Sequence, residues 1–584
     1  MRTGTGTGTR RTGRARLAVG IASLALLVPV DGARADAVEA AASAEAAAPP
    51  ALVVLLTVDQ LRRDRLDPAL PGGLGRLARE GLSFERASLA HAGSETCPGH
   101  VAIATGRHPG PAGAPANAFV DAATGELRYC VQDDPETAGV LGAATPVGRS
   151  PRAFRVDALG DWLDRANGES RVFAVAGKDR SAIALGGQHP DGAYWLGDAA
   201  PLGFTTSRYY AAELPGWVAE WNAHAPALSA IPAQWEHAVT PAQLGSARID
   251  DYAFETAEHG RASPHALRGR DGAPALADVY VSPWVDTLTL DFAFALLARH
   301  GLGDDAVPDL LAISLSGTDT VGHNWGPESH EAYDALRRLD ADVGEFLRAV
   351  EARVGRGRLV VALTSDHGVL PLPEWLAETG RATCPAPDAR IALDPMRRRL
   401  DRHLHFALSS GLGVLWPRAW VHHAGLQITV DRARAAAAGR SVDEVAAVAK
   451  EWLERQPGVV RAWTAAELDA SADEMAAAYR RSRDPERSGD LAVEPAEGCL
   501  FTTYATGTTH GSPWPYDRDV PLVLWGAGVE PGASDAEAAT VDLAPTLAAM
   551  LGVAVPDDVD GHVLPGVRAA PVSANADADG EADR

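Results

Sequence analysis

The chain has 584 residues and a formal net charge of −24, with 77 acidic against 53 basic side chains. Its length exceeds that of a single ordinary core, so one large domain with insertions, or two domains, is expected. The strongly negative charge argues against nucleic acid as a partner.

Both ends of the chain have compositions that set them apart from the centre. Residues 1–35 hold several arginines and then an apolar run from Leu17 to Val30, which predicts a secretory signal peptide. That run is too short to span a membrane, and no later stretch is long and apolar enough. We therefore expect an exported protein, periplasmic or secreted, without a membrane span. A flexible linker over 36–50, a folded domain over 51–566 and a disordered tail over 567–584 are also expected.

Five short apolar runs predict the strands of a central sheet. Continuous apolarity is typical of strands buried on both faces. Helical stretches such as residues 285–300 and 331–354 supply the crossovers that parallel strands need. We therefore expect an α/β fold with a doubly wound, mostly parallel sheet. The runs are Ala51–Val58, Arg171–Ala176, Leu310–Leu315, Leu359–Leu363 and Val520–Leu524.

Polar residues adjoin these runs where ligands bind in such sheets, outside the carboxyl ends of the strands. A single aspartate there is commonly a turn residue. Its repetition over several strands favours one shared crevice. The residues are Asp59 after the first run, Lys178 and Arg180 after the second, Asp319 and His323 after the third, Asp366 and His367 after the fourth, and His510 before the fifth.

The stretch from Ser94 to His100 reads Ser-Glu-Thr-Cys-Pro-Gly-His. A hydroxyl residue followed by Pro98, Gly99 and an apolar run predicts a helix that begins near Thr96. Free N–H groups and the dipole at a helix N-terminus favour an anion. On its own, this stretch is more typical of an ordinary capping threonine, so other residues have to decide.

Two long segments interrupt the alternation of strands and helices. Residues 203–283 contain several aromatic residues without clear periodicity and are expected to form a cap or crown. Residues 370–500 contain a helix over 441–453, begun by a capping box of Ser441 and Glu444. Strand-like runs at 419–430 and 459–463 complete an expected small α+β subdomain.

The three aspartates and three histidines form two sets of three candidate metal ligands. Imidazole with carboxylate suits zinc, and three protein ligands per ion leave positions open for substrate or water. Asp319 and His323 are one helical turn apart, so both can face one ion. Any one of these histidines taken alone is more typical of a structural residue.

The order of these motifs resembles that of the alkaline phosphatase superfamily, and most closely its secreted bacterial alkaline phosphatases with a threonine nucleophile. The resemblance covers about residues 53–561 and leaves the two insertions unexplained. The motifs are Asp59, Thr96-Cys97-Pro98-Gly99-His100, Asp319-x-x-x-His323, Ser365-Asp366-His367-Gly368, Thr509-His510-Gly511, Val541–Thr546 and Asp560-Gly561.

The resemblance implies two zinc ions per chain and a phosphothreonine intermediate. Thr96 would attack phosphorus and expel an alcohol, and water would then hydrolyse the phosphothreonine. The implied ligands are Asp319, His323 and His510 for one ion, and Asp59, Asp366, His367 and Thr96 for the other.

Asn117, Lys178 and Arg180 favour small phosphate monoesters as substrates. A monoester carries three charged oxygens that two cations and an amide can address. A diester has one of these oxygens esterified, so a cation aimed there loses its partner. The threonine-type monoesterases resemble this chain in having Asn followed by Lys-x-Arg.

Other functions are also compatible with parts of the pattern. A phosphodiesterase or nucleotide pyrophosphatase would use the same core. A sulfatase would need Cys-x-Pro-x-Arg, but Pro98 follows Cys97 directly and Val101 stands in place of arginine. Thr96 in place of serine, with the export signal, disfavours a cofactor-independent mutase. The intact ligand set argues against a non-catalytic zinc-binding protein.

The four cysteines, Cys97, Cys130, Cys384 and Cys499, allow three complete pairings in an oxidising compartment. The sequence does not select among these pairings. It also leaves the oligomeric state and the preferred leaving group open.

Overall fold

A computed structural model of the chain describes residues 48–197, 201–245, 247–270, 272–408 and 419–572. The expected signal peptide, most of the expected linker and the tail from residue 573 onward lie outside these ranges. The predicted domain limits at residues 51 and 566 stay predictions. Within the described ranges, no helix combines the length and apolarity needed to cross a bilayer.

A nine-stranded, mostly parallel sheet forms the centre of the fold. Its strands are β1 (Leu52–Val58), β2 (Leu82–Ser88), β3 (Val172–Ala176), β4 (Gly192–Leu196), β5 (Phe204–Thr205), β6 (Asp309–Leu315), β7 (Leu359–Thr364), β8 (Leu522–Gly526) and β9 (Gly532–Ala539). Their order across the sheet is β9-β2-β8-β7-β1-β6-β3-β4-β5. Strands β7, β1, β6, β3 and β4 are parallel neighbours.

Helices cover both faces of this sheet. Alternate side chains of β1 enter different apolar cores, Leu52 and Leu56 on one face and Val53 and Leu55 on the other. This two-sided burial explains the continuous apolar run and confirms the predicted doubly wound sheet. The flanking helices are α1 (Gly73–Glu80), α2 (Thr96–Thr105), α3 (Leu159–Ala166), α4 (Asp179–Gly186), α5 (Trp284–His300), α6 (Gly317–Trp325), α7 (His330–Val354) and α8 (Leu543–Leu551).

The last predicted strand begins two residues later than expected and runs antiparallel to β7 and β2. Its first residue, Leu522, therefore pairs with Thr364 at the carboxyl end of β7. The chain that precedes β8 and carries His510 consequently reaches the same edge of the sheet as the ends of the parallel strands.

The first insertion packs its aromatic side chains into the core. Trp221 and Trp235 are buried in the same apolar cluster as Leu52 of β1. The insertion is irregular, which agrees with its lack of sequence periodicity. Its short elements are the helices Gly216–His224, Pro226–Ala230, Pro241–Leu244 and Leu276–Tyr280, and the paired strands Gln234–Trp235 and His265–Ala266.

The second insertion is an α+β unit, as predicted, built on a four-stranded antiparallel sheet. The single strand expected over 419–430 is wrong. Two strands turn there at Gly425, whose φ of 54° is readily adopted by glycine. Ser441 caps the next helix in a capping box with Glu444. The four strands are Val421–Ala424, Gln427–Val430, Leu491–Pro495 and Val459–Thr464, and the helices are Pro373–Glu378, Leu393–Leu408, Arg432–Ala437, Val442–Leu453, Ala465–Ala470 and Glu474–Ser482.

The remaining short elements connect these units. They are the strand pairs Ala118–Val120 with Leu127–Tyr129, Gln132–Asp133 with Gly148–Arg149, and Arg390–Ala392 with Leu500–Thr502; the helices Pro135–Ala138 and Pro515–Arg518; and the 3₁₀ turns Arg63–Arg65, Arg356–Arg358 and Thr540–Asp542. The disulfides join Cys97 to Cys130 and Cys384 to Cys499, which is one of the three possible pairings.

Candidate active site

The six predicted aspartates and histidines meet at the carboxyl edge of the sheet in two groups. Within each group, one ligand atom from every residue lies within 4.8 Å of the others. We call Asp59, Asp366 and His367 the buried triad, and Asp319, His323 and His510 the outer triad.

The buried triad is placed by two neighbouring parallel strands. Asp59 follows β1, while Asp366 and His367 follow β7, and the strands end together because Thr57 pairs with Thr364. His367 Nε2 lies 3.5 Å from Asp59 Oδ1 and 3.5 Å from Asp366 Oδ2. All three side chains are fully buried.

The outer triad combines α6 with the loop before β8. His323 Nε2 lies 3.1 Å from Asp319 Oδ1, as their spacing of one helical turn predicted. His510 Nε2 lies 3.7 Å from the same oxygen. The His510 ring also stacks on the His367 ring with centroids 3.5 Å apart, so the two triads are in contact.

All three histidines turn Nε2 into the site. Each Nδ1 faces a backbone carbonyl, which can only accept, so Nδ1 carries the hydrogen and a neutral ring keeps its lone pair on Nε2. Burial lowers the pKa of both His367 and His510 and favours the neutral form, whereas at His323 the Asp319 carboxylate outweighs burial and raises the pKa. Metal-binding histidines characteristically make this outer contact. The acceptors are Thr508 for His323 at 2.8 Å, Gly368 for His367 at 3.0 Å and Ser94 for His510 at 2.7 Å.

The carboxylates of the buried triad fit a divalent metal. Asp59 Oδ1 is buried and has no hydrogen-bond partner among the described residues, and the buried Asp366 Oδ2 has only His100 Nδ1 nearby, at 3.1 Å, a nitrogen that donates to the Thr96 carbonyl. Burial raises the pKa of Asp59, and the nearby carboxylates of Asp319 and Asp366 raise it further. Buried charges need a partner, and carboxylate oxygens beside imidazole lone pairs form the donor set of a metal site.

Lys178 lies between the two triads. Its Nζ donates to Asp59 Oδ2 at 2.6 Å and to Asp319 Oδ2 at 2.5 Å. Burial alone would lower the pKa of Lys178, but the two carboxylates outweigh burial and raise the pKa above that of an ordinary lysine. The charged ammonium thus joins one carboxylate of each triad, a contact that the sequence did not predict.

Thr96 is the first residue of α2, where the sequence placed a helix start. Its Oγ1 lies 3.5 Å from His367 Nε2 and accepts a hydrogen bond from Arg180 Nη2 at 3.3 Å. Gly99 allows α2 to approach the buried triad, because a Cβ there would lie 2.3 Å from the Asp366 carbonyl oxygen. The hydroxyl therefore lies between the buried triad and a guanidinium group.

Asn117 is held against the first turn of α2. Its Oδ1 accepts from the Cys97 backbone N–H at 2.7 Å, so the NH₂ end of the side-chain amide faces away from that N–H. Its own backbone N–H donates to Glu95 Oε2 at 2.6 Å. The disulfide from Cys97 to Cys130 ties the helix to the end of the same loop.

Sequence reasoning gave no role to Gln60, Glu95 or His100. Gln60 Nε2 donates to Asp319 Oδ1 at 2.6 Å, and its backbone N–H donates to Asp366 Oδ1 at 3.2 Å. The residue joins both triads from a left-handed backbone with φ of 68°. Its position directly after Asp59 was the one available signal.

His100 and Glu95 hold the two ends of the Thr96 turn. His100 Nδ1 donates to the Thr96 carbonyl oxygen at 2.8 Å, and its Nε2 lies 2.8 Å from Ser314 Oγ. Glu95, whose pKa is raised by burial, accepts from Asn117. Both residues belong to the Ser94–His100 stretch, which the sequence had already singled out.

A family model of type I phosphodiesterases and nucleotide pyrophosphatases matches residues 53–513. The chain belongs to this family. Alkaline phosphatase PhoK of Sphingomonas sp. is 32% identical over 89% of this chain and 91% of that protein. Alkaline phosphatase PafA of Elizabethkingia meningoseptica is 28% identical over 88% of this chain and 94% of that protein.

A crystal structure of alkaline phosphatase PafA superposes with a TM-score of 0.80 and 26% identity, over 89% of this chain and 99% of that one. The predicted resemblance to the alkaline phosphatase superfamily is therefore confirmed. This member of the phosphodiesterase and nucleotide pyrophosphatase family is a phosphatase of that superfamily.

The phosphatase has a cavity beside the outer triad. His510 and Glu95 border it on the side of the core, and Leu426, Trp463, Leu468 and Tyr479 line it from the second insertion. Most of these side chains are apolar, so the cavity is lined mainly by side chains that suit an apolar group of a ligand.

Proposed function

We propose that this chain is a zinc-dependent alkaline phosphatase that hydrolyses small phosphate monoesters through a phosphothreonine intermediate. One observation carries the proposal. The Thr96 hydroxyl lies at a helix N-terminus, between His367 Nε2 of the buried triad and the Arg180 guanidinium.

We propose one zinc ion at each triad. Asp319, His323 and His510 would hold one ion, and the buried triad together with Thr96 Oγ1 would hold the other. The unpartnered carboxylate oxygens and the inward lone pairs support this assignment. Bound zinc supplies a Lewis acid, which lowers the pKa of a hydroxyl or of water and offsets charge on phosphoryl oxygens.

Thr96 is the proposed nucleophile. Its Oγ1 forms a bond to phosphorus as the bond from phosphorus to the leaving oxygen breaks, and the released alkoxide takes up a proton. Water then attacks the phosphothreonine, which frees phosphate and restores the hydroxyl. The dipole at the start of α2 favours the dianion.

Arg180, Lys178 and Asn117 are the proposed binding residues for the phosphoryl oxygens. Arg180 is already within 3.3 Å of the nucleophilic oxygen, and guanidinium geometry suits phosphate. One structure of PafA carries substitutions of a threonine, an asparagine, a lysine and an arginine. Their spacings equal those from Thr96 to Asn117 and from Lys178 to Arg180, which supports the same four positions here.

A phosphodiesterase is the second candidate, because the matching family model is that of phosphodiesterases and nucleotide pyrophosphatases. The test is to measure zinc content and kcat/KM for matched aryl monoester and diester substrates on one purified sample. We expect about two active-site zinc ions, loss of activity on chelation and a clear preference for the monoester. A preference for the diester would select the second candidate.

We also propose that the protein is exported. Both cysteine pairs form disulfides, which persist in oxidising compartments. N-terminal sequencing of protein recovered outside the cytoplasm should begin at Asp36. An intact N-terminus on cytoplasmic, active protein would contradict this assignment.

A further inference from the structure

A second group of histidines and a carboxylate lies outside the catalytic site, where the first insertion meets the start of α7. One ligand atom each of His237, His265 and Glu331 lies within 4.8 Å of the others. The Glu331 side chain is fully buried, and those of His265 and His237 are only 3% and 9% exposed. No step of the proposed phosphatase reaction uses these residues.

The His265 ring is oriented like the histidines of the two triads. Its Nδ1 lies 3.1 Å from the His259 carbonyl oxygen, which can only accept, so Nδ1 carries the hydrogen. Nε2 of a neutral ring then points a lone pair at Glu331 Oε1, 3.0 Å away. A lone pair that faces a carboxylate repels it unless a proton or a metal ion lies between them.

A proton on His265 would satisfy only part of the cluster. It would leave Glu331 Oε2 and His237 Nε2, two buried atoms without a hydrogen-bond partner in the described part of the chain. His237 Nε2 lies 3.6 Å from Glu331 Oε1. A metal ion can accept donation from both imidazoles and the carboxylate together, and so satisfies the whole cluster.

The distances also suit zinc. Ligands bound about 2.0–2.1 Å from a tetrahedral ion lie roughly 3.3 Å from one another. The two nitrogen-to-oxygen distances to Glu331 Oε1, 3.0 and 3.6 Å, lie on either side of that value. Two imidazoles with one carboxylate are a zinc donor set, and His237 also forms an overlapping group with Asp250 and His330.

We propose that His237, His265 and Glu331 form a structural zinc site, separate from the catalytic triads. The ion would fasten the first insertion to α7. Trp325, the last residue of α6, packs on His265 with ring centroids 4.9 Å apart, and α6 carries Asp319 and His323. The site would therefore fix the insertion beside the outer triad and contribute folding free energy.

The direct test is anomalous diffraction at the zinc edge on crystals of the full chain, grown after dialysis against metal-free buffer. We expect a peak bonded to His265 Nε2 and Glu331, in addition to any peaks at the triads. The location of each peak separates this proposal from the proposed function, because either can fail alone. No peak at the cluster, with His265 still hydrogen-bonded to Glu331, would overturn the proposal.

A variant pair gives an independent measurement in solution. Glu331→Gln should reduce the zinc content by one ion per chain and lower the melting temperature. Zinc added to this variant should no longer raise the melting temperature by binding at the cluster. Asp291→Asn is the matched control, because Asp291 accepts from Trp221 of the same insertion but has no histidine partner. Equal zinc content in wild type and Glu331→Gln would overturn the proposal; if that variant does not fold, the diffraction experiment still decides.

Discussion

The buried and outer triads use the same ligand types but differ in what already occupies their carboxylates. In the outer triad, Asp319 accepts from Gln60 at 2.6 Å on Oδ1 and from Lys178 at 2.5 Å on Oδ2. In the buried triad, Asp59 accepts from Lys178 on Oδ2 only, and its Oδ1 has no hydrogen-bond partner within the described ranges, while Asp366 Oδ2 lies 3.1 Å from His100 Nδ1. Lys178 pairs with one carboxylate of each triad, but both oxygens of Asp319 accept hydrogen bonds, whereas Asp59 keeps one oxygen without a hydrogen-bond partner among the described residues.

The pKa values of Asp59 and Asp319 differ in the same direction, whereas Asp366 resembles Asp319: burial would raise its pKa, but His367 and His100 outweigh burial and lower it. Burial and neighbouring carboxylates raise the pKa of Asp59. Burial would also raise the pKa of Asp319, but His323 and Lys178 outweigh it and hold that pKa well below its usual value. A buried carboxylate without a partner gains more from a cation than one already paired. We therefore expect the buried triad to bind its ion more tightly.

The largest expected effect concerns Thr96, the proposed nucleophile, whose hydroxyl lies beside His367 of the buried triad. Thr96→Ala should lower kcat/KM for a monoester at least about 10³-fold, because removal of a nucleophile stops the covalent route. Zinc content should not change, since the Asp and His ligands remain. Thr105→Ala, at the other end of α2, is the control and should keep its activity. Phosphate trapped on a different residue would refute the assignment.

The second prediction compares one ligand from each triad. Asp366→Asn should lose zinc that excess metal does not restore, and should lose the stability that the ion provides, about 2.7 kcal/mol at a metal concentration of 100 Kd. His323→Asn should bind zinc more weakly but regain it when zinc is added. Melting temperature and zinc content, measured with and without added zinc, check both. Equal losses in the two variants would show that the triads do not differ in affinity.

The residues of both triads could be predicted because the signal is local. Asp59, Asp319 and Asp366 each adjoin the end of an apolar run, and parallel strands bring those ends to one edge. His510 was also found, although β8 runs against its neighbour. The position of each polar residue beside an apolar run was therefore sufficient to identify these candidate ligands. The direction of the last strand did not have to be known.

The contacts that distinguish the triads could not be predicted in the same way. Gln60 joins them through a left-handed φ of 68°, which glutamine does not signal. Lys178 reaches two carboxylates that lie 119 and 141 residues away in the chain. The turn at Gly425 and the cysteine pairing likewise depend on long-range packing, so they were missed or left open.

The third prediction tests Gln60, whose uncharged amide orients the Asp319 carboxylate through a hydrogen bond to Oδ1. Gln60→Ala should weaken zinc binding at the outer triad about 10- to 100-fold, as is usual when a partner of a metal ligand is removed. Competition with a chelator, followed at each site, measures the change. Gln188→Ala is a control at a glutamine outside the site. A uniform loss from both triads would mean that Gln60 supports the fold rather than the outer triad.

The smallest expected effect is the most specific, because it concerns the two cations that follow β3. Lys178 contacts both triads, whereas Arg180 contacts the Thr96 hydroxyl. If both also bind phosphoryl oxygens that a diester does not offer in the same form, their joint replacement by alanine should slow monoester hydrolysis more than diester hydrolysis. A positioned donor contributes on the order of 10²-fold, so even with non-additivity the preference should shift at least roughly tenfold.

The measurement for this pair is kcat/KM for matched aryl monoesters and diesters, with zinc content determined in each sample. Arg149→Ala is the control. Arg149 donates at 2.6 Å to Asp179, the residue between Lys178 and Arg180, and it has no described contact with Thr96. Loss of zinc would slow both reactions alike, since both use the same metals and nucleophile. Equal proportional losses at full zinc content would therefore assign Lys178 and Arg180 to site architecture and favour the phosphodiesterase.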